Sequence, residues 1–198
     1  SFGAHPSIFF ASADDEFLIF IDKKNDLEII ARELSTKTNF NGAKIKSEKE
    51  LIAFAELAKF PSHGLIIKAS KTNTEGMLKG ITDLETLTEA FNFFSQKQGY
   101  AYAETDMRAL YNPSRMAVME HTAKNLVAKI KSTCPECKTP GFGVTDLKKG
   151  LPCDLCGIPT KSTLSLIYVC QKCQHLKEEL YPNNKRAEDP MYCDFCNP

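Results

Sequence analysis

The first 133 residues of this 198-residue chain contain no cysteine. That absence excludes a disulfide framework or a thiolate metal site from this stretch, which must be held by an apolar core of its own. Net charge is absent too: 25 Lys and Arg balance 25 Asp and Glu. A balanced chain has no global field to draw in nucleic acid or an anionic membrane. No apolar run approaches the roughly 18 residues of a membrane-spanning helix. No secretory leader pattern opens the chain, which begins at Ser1 rather than Met. Hydrophobic residues make up 42%, which excludes a disordered chain. The length suits one medium domain plus a small module.

What is present is concentrated at the other end. All eight cysteines form four Cys-x-x-Cys pairs: Cys134/Cys137, Cys153/Cys156, Cys170/Cys173 and Cys193/Cys196. This spacing offers two thiolates to one metal from a single tight turn. A disulfide closed across so short a gap would staple almost nothing, and a thioredoxin-like redox reading needs one pair beside a βαβ pattern. Two structural Zn²⁺ ions are therefore expected ahead of disulfides, redox pairs or an iron–sulfur cluster. With four thiolates each, both sites are closed and leave no position for zinc catalysis. Three pairings are open: sequential, interleaved and nested. Pro140, Gly141, Gly143 and Gly150 allow the chain to fold back between the first two pairs, as does Pro182-Asn183-Asn184 between the last two. Residues 161–169 (KSTLSLIYV) read as one extended strand that holds the second and third pairs apart. Short loop closure agrees. The expectation is sequential: Cys134, Cys137, Cys153 and Cys156 on one ion, Cys170, Cys173, Cys193 and Cys196 on the other. His175 reads as an exposed strand residue.

Upstream, residues 7–12 (SIFFAS) and 16–22 (EFLIFID) read as strands joined by a turn at Ala13-Asp14-Asp15. Residues 27–33 fit a strand or a short helix, and Asn41-Gly42 signals a turn. A helix begins at Ser47, with Glu50 completing a capping box and Leu51, Phe54, Ala55 and Ala58 on one face. GLIIKAS (64–70) is a buried strand. A second helix starts at Thr82 with Glu85, and YAYAE (100–104) is a strand. A third helix has Asn112 as cap and Pro113 at its first position, with Met116, Met119, Ala123, Leu126, Val127 and Ile130 as its buried stripe. The fold class is α+β: a mixed sheet with packed helices over 1–132, followed by a small β-rich tandem zinc ribbon over 133–198.

Zinc ribbons often bind nucleic acid, but residues 134–198 carry eight Lys and Arg against eight Asp and Glu. Eight thiolates with two Zn²⁺ add about four further negative charges, the opposite of what phosphate recognition needs. Nucleic acid is disfavoured as a partner. The polar cluster with most chemical capacity is Glu104-Thr105-Asp106-Met107-Arg108, followed by Asn112-Pro113-Ser114-Arg115. It leaves a strand and enters a helix N-terminus, a position suited to an anion. Arg108 and Arg115 can add bidentate contacts. Glu104 and Asp106 share a face if the strand continues, and could take a divalent cation. The bland reading is a cap at Asn112 and a turn salt bridge between Asp106 and Arg108. His63, between Pro61 and Gly64, and His5, before Pro6, both precede strands and are candidate catalytic residues, each weighed against a surface turn. Lys79, after a polar loop, is a further candidate anion ligand, weighed against a loop lysine with no ligand. His121 reads as a helix surface residue.

The motifs SFGAHP, TNF (38–40), FPSHG, KGI, ETDMRALYNPSRM, CPEC with its following GFG, GLPCDLCGIPT and DPMYCDFCNP together resemble an uncharacterised bacterial protein family, a domain of unknown function. The resemblance covers nearly the whole chain. It implies a bacterial, cytoplasmic protein with a further segment ahead of SFG, and brings no catalytic assignment. Ala4 and Tyr111 stand where proline and histidine are expected of the family.

Two functions follow. One is an enzyme-like domain that binds a small anionic or phosphorylated ligand through His5, His63, Asp106, Arg108, Asn112 and Arg115; it requires these side chains to converge on one cavity. The other is a non-enzymatic scaffold whose ribbons contact a protein partner; it requires an exposed apolar patch.

Overall fold

A computed structural model describes residues 2–4 and 12–198. The expected strand at 7–12 and the candidate His5 lie outside the described residues, apart from Ser12. The strands are β1 (Phe2–Ala4), β2 (Ser12–Asp22), β3 (Leu27–Ser35), β4 (Gly42–Ile45), β5 (Leu65–Lys68), β6 (Leu78–Ile81), β7 (Ala101–Thr105), β8 (Val144–Lys149), β9 (Thr163–Val169) and β10 (Leu176–Leu180). The helices are α1 (Glu48–Leu57), α2 (Leu84–Gln98) and α3 (Pro113–Lys131). They form sheets of order β1-β2-β3, β4-β7-β5-β6 and β10-β9-β8, and the α+β class is borne out.

The chain divides into two compact units, one of 1–18 with 32–124, the other of 19–31 with 125–198. In the first, α1 and α2 pack on the antiparallel sheet β4-β7-β5-β6. Leu51, Phe54, Leu65, Ile67, Leu87, Phe91, Phe94 and Ala103 lie in its core. Ser47 caps α1 by accepting from Glu50 N at 3.3 Å, while Glu50 Oε2 reaches back to Lys46 N at 2.8 Å, a reciprocal arrangement that satisfies two free N–H groups. The α2 cap is Asp83, one residue past the expected Thr82, because its carboxylate takes Thr86 N at 2.8 Å. Gly99 closes α2 at φ +75°, where a side chain would be strained.

Two elements depart from the sequence reading. Ala13-Asp14-Asp15 is not a turn but lies inside β2. Asp15 pairs with Arg32 of β3 at 2.8 Å, and Asp14 is buried. The turn falls at residues 23–26, where Asp22 accepts from Lys24 N and Asn25 N. The buried positions of α3 are Val118 and Thr122 rather than the expected apolar stripe, and Met116 is 52% exposed. The helix is rotated by polar contacts at its start: Ser114 bonds His63 and Arg115 bonds Glu16. The Asn112 cap is present, with Oδ1 accepting from Arg115 N at 3.0 Å.

Residues 134–198 are built on β10-β9-β8, antiparallel throughout, with Val144 opposite Tyr168 and Lys149 opposite Thr163. Their interior is thin. All of β8 is exposed, and besides cysteines Leu151 is the one buried hydrophobic residue from 134 onward.

Candidate functional site

The four Cys-x-x-Cys segments fold alike. The N–H four residues after each first cysteine returns to that cysteine's carbonyl: Lys138 to Cys134, Gly157 to Cys153, Gln174 to Cys170 and Asn197 to Cys193. Lys138, Gly157 and Gln174 take φ between 60° and 73° to make this turn. The turns leave backbone N–H groups aimed at sulfur. Those of Cys196 and Phe195 bring the Cys193 thiol down to about 7, and Thr139, through its hydroxyl and its N–H, brings Cys137 to about 6. In the same tetrads the Cys156 and Cys153 sulfurs push Cys196 up to about 12. Against the pull of the His175 N–H, Cys137 pushes Cys173 up to about 12. The donors thus favour the thiolate at Cys137 and Cys193.

The tetrads are Cys134, Cys137, Cys170 and Cys173, and Cys153, Cys156, Cys193 and Cys196. The pairing is interleaved, which corrects the sequential expectation. The strand within 161–169 does hold its ends apart, but so do Val144–Lys149 and Leu176–Leu180, which are also strands. Each strand carries the chain about 15–20 Å from one end of the sheet to the other. Consecutive knuckles therefore fall at opposite ends, and alternate ones meet. The ligand identities are as expected; only their partition changes. Sγ–Sγ separations are 3.7 Å for Cys134–Cys173, 3.5 Å for Cys137–Cys170, 3.8 Å for Cys153–Cys196 and 3.7 Å for Cys156–Cys193. A tetrahedron with metal–sulfur bonds of about 2.3 Å has edges of about 3.8 Å. Both tetrads fit a metal ion.

A second constellation lies in the first unit. A cavity of about 530 Å³ is lined by Lys71, Lys79, Glu104, Asp106, Arg108 and Arg115, among others. Five of these are residues singled out from the sequence; Lys71 is an addition. β7 ends at Thr105, so Glu104 lies in the strand and Asp106 just past it; both line the cavity, and the chain turns through 109–111 into α3.

Each carboxylate already holds a protein cation. Asp106 is fully buried and takes Arg108 Nη2 at 2.5 Å, Arg108 N at 3.1 Å and Gly80 N at 2.9 Å. Burial alone would raise its pKa, but the Arg108 bonds and the two N–H donors outweigh burial and hold it below the usual carboxylate value. Glu104 pairs with the buried Lys68 at 2.8 Å. Both acids are engaged by protein cations, and the cysteine tetrads are the groups of three or more metal-ligating residues found among the described residues.

Arg115 is anchored by Glu16 at 2.7 Å, with Asp14 at 3.9 Å, and it donates to the Met107 carbonyl. Burial and the adjacent Glu16 push the Asp14 carboxyl up to about 6, against the pull of Arg115. The sequence reading missed Asp14 and Glu16; their i, i+2 spacing in one strand was the available signal. Asn112 lies beneath the cavity wall, fully buried, donating to Asn39 Oδ1 and the Asp106 carbonyl. It is a scaffold residue, not a ligand-facing one. Tyr111 packs where a Cβ on Gly64 or Gly80 would come within 2.9 Å and 2.5 Å of it, and its ring lies 4.5 Å beneath the Arg108 guanidinium.

His63 does not join this cavity. It is buried, with Nδ1 3.0 Å from Ser62 Oγ and Nε2 2.8 Å from Ser114 Oγ. Burial and the nearby Lys59 ammonium hold its pKa below the ordinary histidine value. His121 is a surface residue 3.6 Å from Glu33. No helix is long and apolar enough to cross a membrane among the described residues.

No match is found among curated proteins or among solved structures. A family model described as Domain of unknown function (DUF6671) matches residues 1–198, and by that match along its whole length the chain belongs to the DUF6671 family.

Proposed function

We propose that the chain is a two-zinc protein whose first unit binds a small anionic, most simply phosphorylated, ligand. The observation that carries this reading is the cavity lined by Lys71, Lys79, Arg108 and Arg115. Its arginines are fixed from behind by Asp106 and Glu16. Orienting carboxylates reduce the entropy lost when guanidinium forks close on an anion. Lys71 and Lys79 have no carboxylate partner among the described residues and supply the net positive charge. The metal is assigned to zinc because four thiolates in a closed tetrahedron suit a d¹⁰ ion without redox chemistry. Its role is structural, in a cytoplasmic protein.

Titration with pyrophosphate, followed by backbone amide shifts, tests the site. The amides of Gly80, Arg108 and Arg115 should move together. Replacing Lys79 and Lys71 with Gln should weaken binding about tenfold or more, the equivalent of one lost charge-assisted contact. An absence of shifts at millimolar pyrophosphate would sink the anion reading. Metal analysis that returns iron rather than zinc would sink the zinc assignment.

A second reading has its own support. The exposed tips of the second tetrad are apolar, with Leu155 at 74% and Phe195 at 70% exposure, beside exposed Met191 and Tyr192. The corresponding tips of the first tetrad carry Glu136 and Lys172. Apolar side chains at both knuckle tips of the second tetrad, where the first tetrad has charged ones, favour a protein contact there.

A further inference from the structure

We propose that Ser114 is a nucleophile, activated by His63, on the wall of a second cavity in the first unit, and that this cavity hydrolyses small esters. The cavity has a volume of about 730 Å³ and is lined by Ser114, Lys37, Lys59, Val118, Glu33 and His121, among others. It does not depend on the anion site proposed above.

The hydrogen-bond directions fix the tautomer. Ser62 has one hydroxyl proton, and Oγ donates it to the Lys59 carbonyl at 2.6 Å. Toward His63 Nδ1, 3.0 Å away, Ser62 Oγ can therefore only accept. Nδ1 carries the imidazole proton, and Nε2 presents its lone pair. Two donors converge on that lone pair, Ser114 Oγ at 2.8 Å and Ser114 N at 3.3 Å. A neutral histidine with an oriented Nδ1–H and an Nε2 facing a serine hydroxyl is the base–nucleophile arrangement of acyl transfer. The chain Lys59 carbonyl, Ser62, His63, Ser114 supplies the orienting third member from a hydroxyl rather than a carboxylate. Burial and the Lys59 charge keep the imidazole neutral and able to accept a proton.

The first-turn amides of α3 are already committed, since Ser114 N faces His63 and Arg115 N faces Asn112. The anion that develops on the substrate oxygen therefore falls to the Lys59 and Lys37 ammonium groups that line the cavity. In the reaction, Ser114 Oγ bonds to the ester carbonyl carbon and its proton passes to His63 Nε2. The carbon–oxygen bond to the leaving alcohol breaks, and Nε2 returns the proton to that alcohol. Water then adds to the acyl-serine, delivering one proton to Nε2, and collapse regenerates the Ser114 hydroxyl and releases the acid. Ser62 is a positioning residue.

The zinc-loaded chain, treated with a fluorophosphonate and mapped by peptide mass, decides the matter. The expected result is a single adduct on Ser114, absent in Ser114→Ala and slowed about a hundredfold in His63→Gln, the lower range for a lost general base. No adduct under excess reagent, or the same adduct level in Ser114→Ala, overturns the proposal. If His63→Gln does not fold, the pH profile of wild-type labelling replaces it. The rate should fall in acid through a single protonation below the ordinary histidine value. A rate independent of pH through that range would show that His63 is not the base. Ser62→Ala should slow labelling and shift that profile while leaving the adduct on Ser114; an unchanged profile would remove Ser62 from the relay.

Discussion

The stretch 42–105 and the stretch 134–198 solve the same problem by different means. The first buries a cluster of fourteen apolar residues between a sheet and two helices. The second buries Leu151 and four of its eight cysteines and leaves a whole strand exposed. Sixty-odd residues with so small a core cannot offset their conformational entropy through burial. On the two-zinc reading proposed above, eight thiolates gathered at the two ends of one sheet replace the core, and metal binding becomes folding free energy. One region is specified by apolar periodicity and the other by ligand spacing.

Metal removal is the largest expected effect, because structural Zn²⁺ in small modules binds with about 10–16 kcal/mol. With metal loss verified by native mass, residues 134–198 should lose amide dispersion while 42–105 keep theirs. Retention of dispersion across 134–198 would show a core that burial does not reveal. The converse change is Leu51→Ala. Leu51 is fully buried in the first cluster, and its truncation should cost about 2–5 kcal/mol. Denaturation should show the loss in 42–105, with both metals still bound at equal stoichiometry; loss of metal would mean that the two regions fold as one.

The same contrast explains what the sequence made legible. Ligand identity followed from spacing alone, since Cys-x-x-Cys has few other uses when repeated. Ligand pairing did not, because it depends on strand count. Val144–Lys149 is a polar strand with no buried residue, so it carries no period-2 signal and reads as loop. The convergence of Lys79, Glu104, Asp106, Arg108 and Arg115 was partly legible because four of them flank one strand–helix junction. Asp14 and Glu16 were not, because their partner Arg115 is about a hundred positions away and two acids beside an alanine read as a turn. The rotation of α3 was hidden for a similar reason: polar anchors at Ser114 and Arg115 override the apolar stripe.

Within the first region, Gly80 tests whether backbone shape or side-chain chemistry builds the cation-lined cavity. Gly80 sits at φ +70°, and a Cβ there would come 2.5 Å from Tyr111 Cζ. Gly80→Ala should cost roughly 1–3 kcal/mol from strained backbone, with more from displaced Tyr111. Its amide also donates to Asp106, so displacement should loosen Arg108 and weaken pyrophosphate binding. Alanine tolerated with unchanged melting and binding would show that Tyr111 moves freely and that the cavity wall is not fixed by this contact.

The smallest effect concerns Asp14, whose carboxyl is pushed up by burial, whereas Glu188, the buried acid of 134–198, is held down chiefly by Lys185. The Asp14 pKa is raised from 3.8 to about 6, so the folded chain holds this proton more tightly than the unfolded one. The stability it contributes is fully present below the unfolded value and is lost as pH rises through about 6. The loss should be on the order of 1–2 kcal/mol, reduced from the full shift by the compensating Arg115 charge. Asp14→Asn mimics the neutral form in shape and should flatten the stability profile of the first region between about pH 4 and pH 7, gaining most at the alkaline end. Chemical denaturation of both chains across that range checks the sign. If the variant is instead less stable at neutral pH, the ionised Asp14 is a working partner of Arg115. The second carboxylate behind Arg115 would then be part of what orients the guanidinium toward the cavity.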